Sequence, residues 1–287
     1  MANIIIFGGQ GYIGQNILKK SITKHNFLTL GRSEEKLFRE LNYNHLSIND
    51  TELLKKINLF KPDYFIVCYY GNPSNKDITV YRKLDEIIVS IYINIVNKPK
   101  LVFISSQLAY GIRLINNYNK NNSEIIDFYA KMCVEFERKI IDIANDNYLI
   151  LRVPIVYGGE HNKSKGYANI VFAFLDAASK GQKLKIYGSG SQIRSFIHID
   201  DFVKLIDIII TQGINIKLLN TCFNEHYSIQ QLADLIALKF NTLCENVDWP
   251  DTEISHDNYD IILDSTIAMN MVKNKWNMIK FLNSEYD

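Results

Sequence analysis

Short apolar segments alternate along the chain with longer stretches in which apolar residues recur every three or four positions. The short segments are rich in β-branched residues and predict buried strands, whereas the longer stretches predict amphipathic helices. The predicted strands cover residues 3–7, 27–30, 64–68, 101–105, 149–153 and 218–223, and the predicted helices cover residues 12–24, 51–60, 78–97 and 126–145. This alternation predicts an α/β fold in which helices cover both faces of a parallel sheet.

Beyond residue 158 the alternation becomes irregular, and glycines recur around one long helical stretch at 168–179. We therefore predict two parts. A doubly wound Rossmann domain occupies residues 1–157, and residues 196–223 return to it. Residues 158–195 and 224–287 form a smaller C-terminal substrate-binding lobe.

The bulk composition mainly excludes classes of protein. The chain has 287 residues, of which 47% are hydrophobic and 22% are charged, as is ordinary for globular proteins. A formal net charge of +1 gives no reason to expect binding to nucleic acid or to an anionic membrane. No apolar run approaches the ~20 residues of a membrane span, and because a predicted strand begins at residue 3 we expect no leader peptide. Four scattered cysteines fit reduced thiols, so we expect a cytoplasmic protein without a metal site.

A glycine-rich turn follows the first predicted strand and carries the most specific signal. Gly8, Gly11 and Gly14 lie between that strand and an apolar-periodic helix. In this setting one glycine permits the tight turn, a second lets a pyrophosphate approach the backbone, and a third lets the helix pack onto the sheet. The helix start then holds the anion. The sequence therefore predicts a dinucleotide site, and a turn without a ligand is the alternative.

The end of the second predicted strand bears on the choice of cofactor. Folds that bind NAD usually have Asp or Glu there, which accepts from the ribose 2′-hydroxyl. This chain has Arg32 and Ser33 instead, and its first carboxylate is Glu34. Because the guanidinium group suits phosphate, we expect NADP(H) to be preferred and NAD(H) to be possible. The alternative is a solvated arginine that begins a helix.

Hydroxyl groups occur at two further positions where chemistry could take place. Ser105 and Ser106 end the strand at 101–105, and strand ends of this kind form the binding crevice, although a serine pair can also simply cap a turn. Tyr129 lies on the helix at 126–145 and could act as acid or base if a cation lowered its pKa. However, the residue one turn later is Cys133, and Lys131 points largely away.

These segments together resemble the extended short-chain dehydrogenase/reductase family of NAD(P)-dependent nucleotide-sugar epimerases, dehydratases and 4-ketoreductases. The resemblance runs from about residue 3 to about residue 276. The motifs that carry it are the glycine turn at 8–14, the strand end at 105–111, Tyr129 with Glu137, and the segments 151–158, 186–201 and 220–233.

The resemblance, with the features above, implies a set of site residues. The catalytic pair would be Ser106 and Tyr129, and Cys133 occupies the position of the family's lysine. The substrate would contact Ser105, Gln107 and, through its diphosphate, Arg194. The cofactor-binding positions would be Gly8, Gly11, Tyr12, Ile13, Gly14, Arg32, Ser33, Ser47, Ile48, Tyr69, Pro154 and Val156. Ser47 departs from the family's aspartate beside adenine, and Tyr69 is bulkier than the residues usual at its position.

The implied activity is that of an NAD(P)-dependent nucleotide-sugar oxidoreductase. We expect a 4-ketoreductase of an NDP-4-keto-6-deoxyhexose in the biosynthesis of surface polysaccharides such as O-antigen. Gln107 and Leu108 stand where the family's 4,6-dehydratases have an acidic pair, which argues against dehydration. A C4 epimerase is one alternative, and a non-catalytic binder of dinucleotide or sugar nucleotide, suggested by Cys133, is another.

Two further expectations concern the partner and the histidines. The partner would be a nucleotide-diphosphate sugar, and helices 78–97 and 126–145 would form a homodimer contact, unless their apolar faces only cover the sheet. His198 is expected to be structural, paired near Asp200 or Asp201, because no catalytic partner accompanies it in the sequence.

Overall fold

The computed structural model describes residues 1–68, 78–110, 128–159, 169–249 and 260–286. Its largest sheet has seven strands, all parallel: β1 (Asn3–Phe7), β2 (Asn26–Gly31), β3 (Asn44–Ser47), β4 (Tyr64–Val67), β5 (Lys100–Ser106), β6 (Tyr148–Val153) and β10 (Leu218–Asn220). Their order across the sheet is β3-β2-β1-β4-β5-β6-β10. The order reverses between β1 and β4, which is where doubly wound sheets open a crevice for ligands.

Helices cover both faces of the large sheet. Within the described residues, the helices of the chain are α1 (Tyr12–Ser21), α2 (Leu53–Phe60), α3 (Ile78–Ile93), α4 (Phe128–Ala144), α5 (Ile170–Ser179), α6 (Ile199–Thr211), α7 (Ile229–Phe240), α8 (Thr266–Met271) and α9 (Met278–Glu285). Because side chains alternate along a strand, Ile4 and Ile6 join an apolar cluster with α1 and α6. Ile5 and Phe7 join a second cluster with α2, α3 and α4. This arrangement confirms the predicted α/β, doubly wound fold.

Two smaller sheets lie outside the large one. β7 (Ile155–Tyr157), β9 (Ile193–His198) and β11 (His226–Ser228) form a three-stranded sheet, and β8 (Leu184–Tyr187) pairs with β12 (Cys244–Val247). Helices α5, α7 and α9 bury a third apolar cluster against these strands. Within the described ranges, no helix is both long and apolar enough to cross a lipid bilayer.

One strand of the large sheet was absent from the predicted set. Among the described strands, β3 lies at the sheet edge and pairs with β2 alone, through positions such as Leu30 opposite Leu46. Leu46 is its single aliphatic residue. An edge strand has fewer buried positions to fill, so its polar sequence lacked the apolar run that identified the central strands.

Candidate active site

The turn after β1 depends on glycine at several positions. Gly8 has a φ angle of 83°, in the left-handed region that glycine adopts readily. Gly11 donates its N–H to the Gly8 carbonyl oxygen at 3.0 Å. A Cβ atom added to Gly14 would lie 2.5 Å from that same oxygen and 2.7 Å from the Gly9 Cα atom. The absence of side chains therefore lets α1 begin directly against the turn.

The backbone of this turn fits a dinucleotide pyrophosphate. The residue at the N-terminal cap of α1 is Gly11, and no side chain caps the helix. The amide groups of a first helical turn, which here includes Ile13, attract an anion together with the helix dipole. The turn also follows β1, the strand next to the point where the strand order reverses. A cofactor of the NAD type would lie on this backbone and supply a hydride donor or acceptor.

The Tyr12 side chain serves the fold and does not line the crevice. Tyr12 is buried, donates its hydroxyl proton to the Gly158 carbonyl oxygen at 2.6 Å, and meets the Phe172 ring edge-on at 5.4 Å. This hydrogen bond ties the glycine turn to the segment after β7. The cofactor contact at Tyr12 stays a prediction.

The end of β2 opens into a cavity of about 510 Å³. Arg32 and Ser33 are exposed there. The Ser33 hydroxyl oxygen accepts from the Glu35 N–H at 3.1 Å, and the Ser33 carbonyl oxygen lies 2.9 Å from Nε2 of His45. The cavity is lined by Gln10, Ser33, Glu35, Lys36, Leu37, Arg39 and Glu40. Two cations that the sequence analysis did not single out, Lys36 and Arg39, therefore accompany the predicted pair.

The predicted adenine-side residues form a tight local turn after β3. Ser47 is buried, and its hydroxyl oxygen accepts from the Asn49 N–H at 3.3 Å. Ile48 donates its N–H to the Gly31 carbonyl oxygen at 2.9 Å and packs against the second apolar cluster. Their contact with a cofactor stays a prediction. Tyr69 lies outside the described residues.

Ser106 and Tyr129 belong to elements that pack against each other. Ser106 is the last residue of β5, and its hydroxyl oxygen accepts from the Leu108 N–H at 3.2 Å, within the 3₁₀ turn Gln107–Tyr110 that follows. Tyr129 lies in the first turn of α4 and is half-buried. α4 packs against both β5 and the 3₁₀ turn. A joint catalytic role of the two hydroxyl groups remains a prediction.

Cys133 lies in the interior of the fold. It is completely buried in the second apolar cluster, where Met132 and Phe136 of the same helix are buried too and against which Tyr129 packs. Cys133 therefore packs inside the fold, and its part in catalysis at the family's lysine position stays a prediction. Lys131 is exposed on the same helix.

Ser105 is engaged inside the fold, so its predicted contact with a substrate stays a prediction. It is buried and donates its hydroxyl proton to Oε1 of Glu137 at 2.5 Å. Arg152 holds the same carboxylate through both oxygens, with Nε 3.0 Å from Oε1 and a terminal nitrogen 2.6 Å from Oε2. The Ser105 proton is thus used inside the fold and is unavailable to a substrate oxygen. Arg152 was not among the predicted site residues. The signal for this network was a charged residue inside the apolar segment predicted as a strand at 149–153.

Gln107, which follows β5 of the large sheet, contacts the residue next to Arg194 in β9 of the three-stranded sheet. Gln107 is buried, and its side-chain oxygen accepts from the Ser195 N–H at 3.4 Å. Arg194 precedes Ser195 in β9, is buried, and donates to the Ile193 carbonyl oxygen at 2.9 Å. A diphosphate contact of Arg194 and a sugar contact of Gln107 remain predictions.

The segment that follows β6 contains the last two predicted cofactor contacts. Pro154 separates β6 from β7, and Val156 is buried in β7. The Val156 carbonyl oxygen accepts from Nδ2 of Asn169, the residue that caps α5, at 2.8 Å. This bond anchors the start of α5 to β7, while the contact of both residues with a nicotinamide ring remains a prediction.

Two buried titratable groups lie near the start of α6 and are structural. His198 accepts at Nδ1 from the Asp200 N–H at 3.2 Å and stacks on the Trp276 ring at 4.4 Å, and burial lowers the pKa of His198 to about 4. The Glu225 carboxylate accepts from the Tyr157 hydroxyl at 2.8 Å and from the Met278 N–H at 2.6 Å. Burial raises the pKa of Glu225 to about 7.

The model of the NAD dependent epimerase/dehydratase family matches residues 4–222. The chain belongs to this family. The match includes the glycine turn, Ser106 and Tyr129, and it confirms the family that the sequence motifs indicated. The NAD dependence of the family agrees with the cradle that the turn after β1 provides.

Individual relatives are distant members of this family. A putative UDP-glucose 4-epimerase of Methanocaldococcus jannaschii is 27% identical over 253 residues, which are 81% of this chain and 81% of that protein. A dTDP-4-dehydro-6-deoxy-D-allose reductase of Streptomyces bikiniensis is 26% identical over 119 residues, 42% of this chain and 35% of that protein. The solved UDP-glucuronic acid 4-epimerase of Bacillus cereus, in complex with UDP-glucuronic acid and NAD, has a TM-score of 0.78 at 16% identity and covers 99% of this chain and 97% of its own.

Proposed function

We propose that this family member is an NADPH-dependent 4-ketoreductase of a nucleotide-diphosphate sugar, with an NDP-4-keto-6-deoxyhexose as substrate. The observation that carries the proposal is that two features lie at the carboxyl ends of nearby strands of the parallel sheet. The glycine cradle follows β1 and Ser106 ends β5, and only β4 lies between these two parallel strands. A dinucleotide seated at β1 would extend its reactive ring across β4 towards Ser106.

The roles of the residues follow from this geometry. The nicotinamide cofactor supplies the hydride. Ser106 holds the keto oxygen by a hydrogen bond, and Tyr129 donates the proton that this oxygen takes up as the alcohol forms. Arg194 binds the diphosphate through its planar, permanently charged guanidinium group. Gln107 borders the sugar beside Arg194.

The preference for NADPH is supported by the cavity at the end of β2. Ser33, Lys36 and Arg39 line it, and Arg32 lies next to it in sequence. Guanidinium and ammonium groups bind a 2′-phosphate, whereas the ribose 2′-hydroxyl of NAD requires an acceptor at this point. Glu35 and Glu40 line the same cavity, so NADH remains a second cofactor for the site.

A 4,6-dehydratase activity is disfavoured. Elimination of water needs an acid and a base beside the sugar. The two residues after Ser106 are Gln107, which is uncharged and engaged with Ser195, and Leu108, which packs against a small apolar cluster around Cys222. Neither can transfer a proton.

A C4 epimerase is the second candidate, and the relatives favour it. The putative UDP-glucose 4-epimerase shares 81% of its length with this chain. An epimerase oxidises and then reduces the same carbon and so keeps its cofactor, whereas a reductase releases NADP⁺ after each turnover. Cofactor retained through purification would therefore favour the epimerase.

The third candidate is a protein that binds dinucleotide or sugar nucleotide without turnover. The buried Cys133 favours it, since the family position that carries a lysine provides no cation here. Loss of a positioned charge weakens the electrostatic stabilisation of the developing alkoxide.

One experiment separates the three candidates. Purified protein is assayed for oxidation of NADPH and of NADH with a dTDP- or UDP-linked 4-keto-6-deoxyhexose, and for interconversion of UDP-glucose and UDP-galactose without added cofactor. Turnover in the first assay supports the reductase, and turnover in the second supports the epimerase. Cofactor binding without turnover in either assay contradicts both and supports the binder.

The helices α3 and α4 are proposed as a homodimer contact. Ile93 and Ile141 are about half exposed on them, and α3 packs against α4 within the chain. Light scattering after size-exclusion chromatography tests this, and a mass near the 33.2 kDa of one chain would contradict it.

A further inference from the structure

Five polar side chains from five different elements meet beneath the candidate active site. Glu137 of α4 and Arg152 of β6 form its centre, and they are only 4% and 3% exposed. Ser105 of β5 donates to the Glu137 carboxylate. The Tyr110 ring lies under the Arg152 guanidinium at 4.3 Å, and the Tyr110 hydroxyl donates to Oδ1 of Asn220 in β10 at 2.9 Å.

Three elements of this network, β5, α4 and β6, lead to features that the proposed reaction uses. Ser105 immediately precedes Ser106, and Arg152 lies two residues before Pro154. Glu137 follows Tyr129 by about two turns on the same helix. One guanidinium–carboxylate pair thus connects the strand of Ser106, the helix of Tyr129 and the turn expected to face the nicotinamide ring.

The buried Glu137–Arg152 pair is better suited to orienting the elements that it joins than to stabilising the fold. A buried ion pair is often no more stabilising than well-packed apolar residues of the same volume, because both ions lose their hydration. A bidentate guanidinium–carboxylate contact is nevertheless strongly directional, since both groups are planar and both hydrogen bonds must align. Such a contact fixes the rotation of α4 and its position along β5 and β6.

We propose that Glu137 and Arg152 are positioning residues, which hold the Tyr129 helix in register with the Ser106 strand. The proposal rests on the proposed function for its catalytic consequence. It predicts that replacing the network by apolar side chains leaves the fold and cofactor affinity intact but slows the chemical step.

The main test is the triple variant Ser105→Ala/Glu137→Leu/Arg152→Met, which leaves no polar group of the trio unpaired. Its kcat is expected to fall by about 10- to 100-fold, the cost of a small misplacement of reacting groups, while KM for NADPH and the melting temperature change little. The matched control is Asp85→Leu/Lys139→Met, which removes the 3.0 Å ion pair between α3 and α4 on another side of the same helix. The control should keep kcat within about twofold. Equal kcat values in the triple variant and the parent would overturn the proposal.

A conservative series covers the case in which the triple variant does not fold. Ser105→Ala keeps the ion pair and should lower kcat several-fold without a change in melting temperature. Arg152→Lys keeps the charge but not the planar fork, and its kcat should fall further. Parental kcat in both folded variants would overturn the proposal.

Hydrogen exchange separates failure of this proposal from failure of the proposed function. A parent that turns over no sugar nucleotide contradicts the function, but the positioning role can still be measured. In the triple variant, amides near Tyr129 and Ser106 should exchange at least about tenfold faster than in the parent, while β1 and β2 exchange at the parental rate. Unchanged exchange at α4 and β5 would overturn the positioning role in either case.

Discussion

Gly14 lies so close to Gly8 that a Cβ atom at position 14 would stand 2.5 Å from the Gly8 carbonyl oxygen. At Gly11 the same added atom would be 3.3 Å from that oxygen, and no other atom of the described residues lies within 4 Å, apart from the adjacent residues. The two positions therefore differ in what they tolerate. Gly14 is required for the packing of α1, whereas Gly11 can gain a methyl group with a small adjustment.

This difference predicts different outcomes for two alanine variants. Gly11→Ala should fold with a melting temperature close to that of the parent but bind NADPH at least about tenfold more weakly, because its methyl group meets the pyrophosphate. Gly14→Ala should lose about 1–3 kcal/mol of stability by overpacking as well. Calorimetry measures binding, and thermal unfolding measures stability. Parental affinity in a folded Gly11→Ala variant would contradict the cradle.

Removal of either proposed catalytic hydroxyl should affect kcat more than KM. Ser106→Ala and Tyr129→Phe are each expected to lower kcat by about 10²- to 10⁴-fold, the usual contribution of a positioned proton donor. The control is Tyr64→Phe. Tyr64 begins β4, at the opposite end of the strands from Ser106, and its hydroxyl group donates to the Ile210 carbonyl oxygen. Steady-state rates of NADPH oxidation provide the comparison. A Tyr129→Phe enzyme as active as the control would remove Tyr129 from the mechanism.

A lysine at position 133 should destabilise the protein. Cys133 is completely buried among apolar side chains, and burial of an ammonium group is costly. We therefore expect Cys133→Lys to lower the melting temperature and to raise the reductase rate by less than about tenfold. Cys133→Ala, which makes only a small cavity, is the control. An inactive parent combined with a large gain in Cys133→Lys would support the non-catalytic binder.

Cofactor preference should depend on the cations near the β2 end. Arg32→Ala and Arg39→Ala are each expected to weaken NADPH binding by about tenfold, because each removes a guanidinium group that would contact the 2′-phosphate. NADH has no 2′-phosphate, so its binding should stay the same. Arg82→Ala, on α3, is the control and should change neither affinity. Fluorescence titration with both cofactors gives the two dissociation constants. An equal loss for NADH and NADPH would show that these residues do not select the cofactor.

Stability should fall as pH rises through the titration of Glu225. Burial raises the pKa of Glu225 from 4.5 to about 7, so the folded protein holds a proton that the unfolded chain releases at lower pH. This stabilisation is complete below pH 4.5 and is lost as pH rises through about 7. Relative to Glu225→Gln, the parent should lose about 2–3 kcal/mol of unfolding free energy between pH 4.5 and 8. A constant difference across urea titrations in this range would contradict the assignment.

The sequence predicted those elements in which the burial of side chains follows a simple pattern. The first strand was predicted at 3–7, as observed, because four of its five residues are buried on a sheet covered on both faces. The helix predicted at 78–97 ends earlier, at Ile93. There Lys98 donates to three carbonyl oxygens of residues 92, 93 and 95 and so closes the helix end. Such a cap depends on a single side chain just beyond the helix and has no periodic signature.

Within the site, spacing alone could not show which way a side chain points. Ser105 and Ser106 are adjacent hydroxyls at one strand end, yet Ser105 turns to Glu137 inside the fold. Neighbouring side chains of a strand point in opposite directions, so the sequence could predict that the two serines differ. It could not predict the role of Ser105, because its partner Glu137 lies 32 residues away in sequence. Cys133 is a second case. Its spacing of one helical turn from Tyr129 predicted a shared face, and both side chains pack on the second apolar cluster, but the spacing could not show that Cys133 is completely buried there.

The account depends most directly on where the nicotinamide ring lies. The decisive measurement is a crystal structure of the protein with NADPH and an unreactive sugar nucleotide. We expect the pyrophosphate on the turn at Gly8 and Gly11, and the reactive ring carbon and the substrate oxygen within hydrogen-bond or near-attack reach of Ser106 and Tyr129. A cofactor bound elsewhere, or a ring separated from both hydroxyl groups by other side chains, would contradict it.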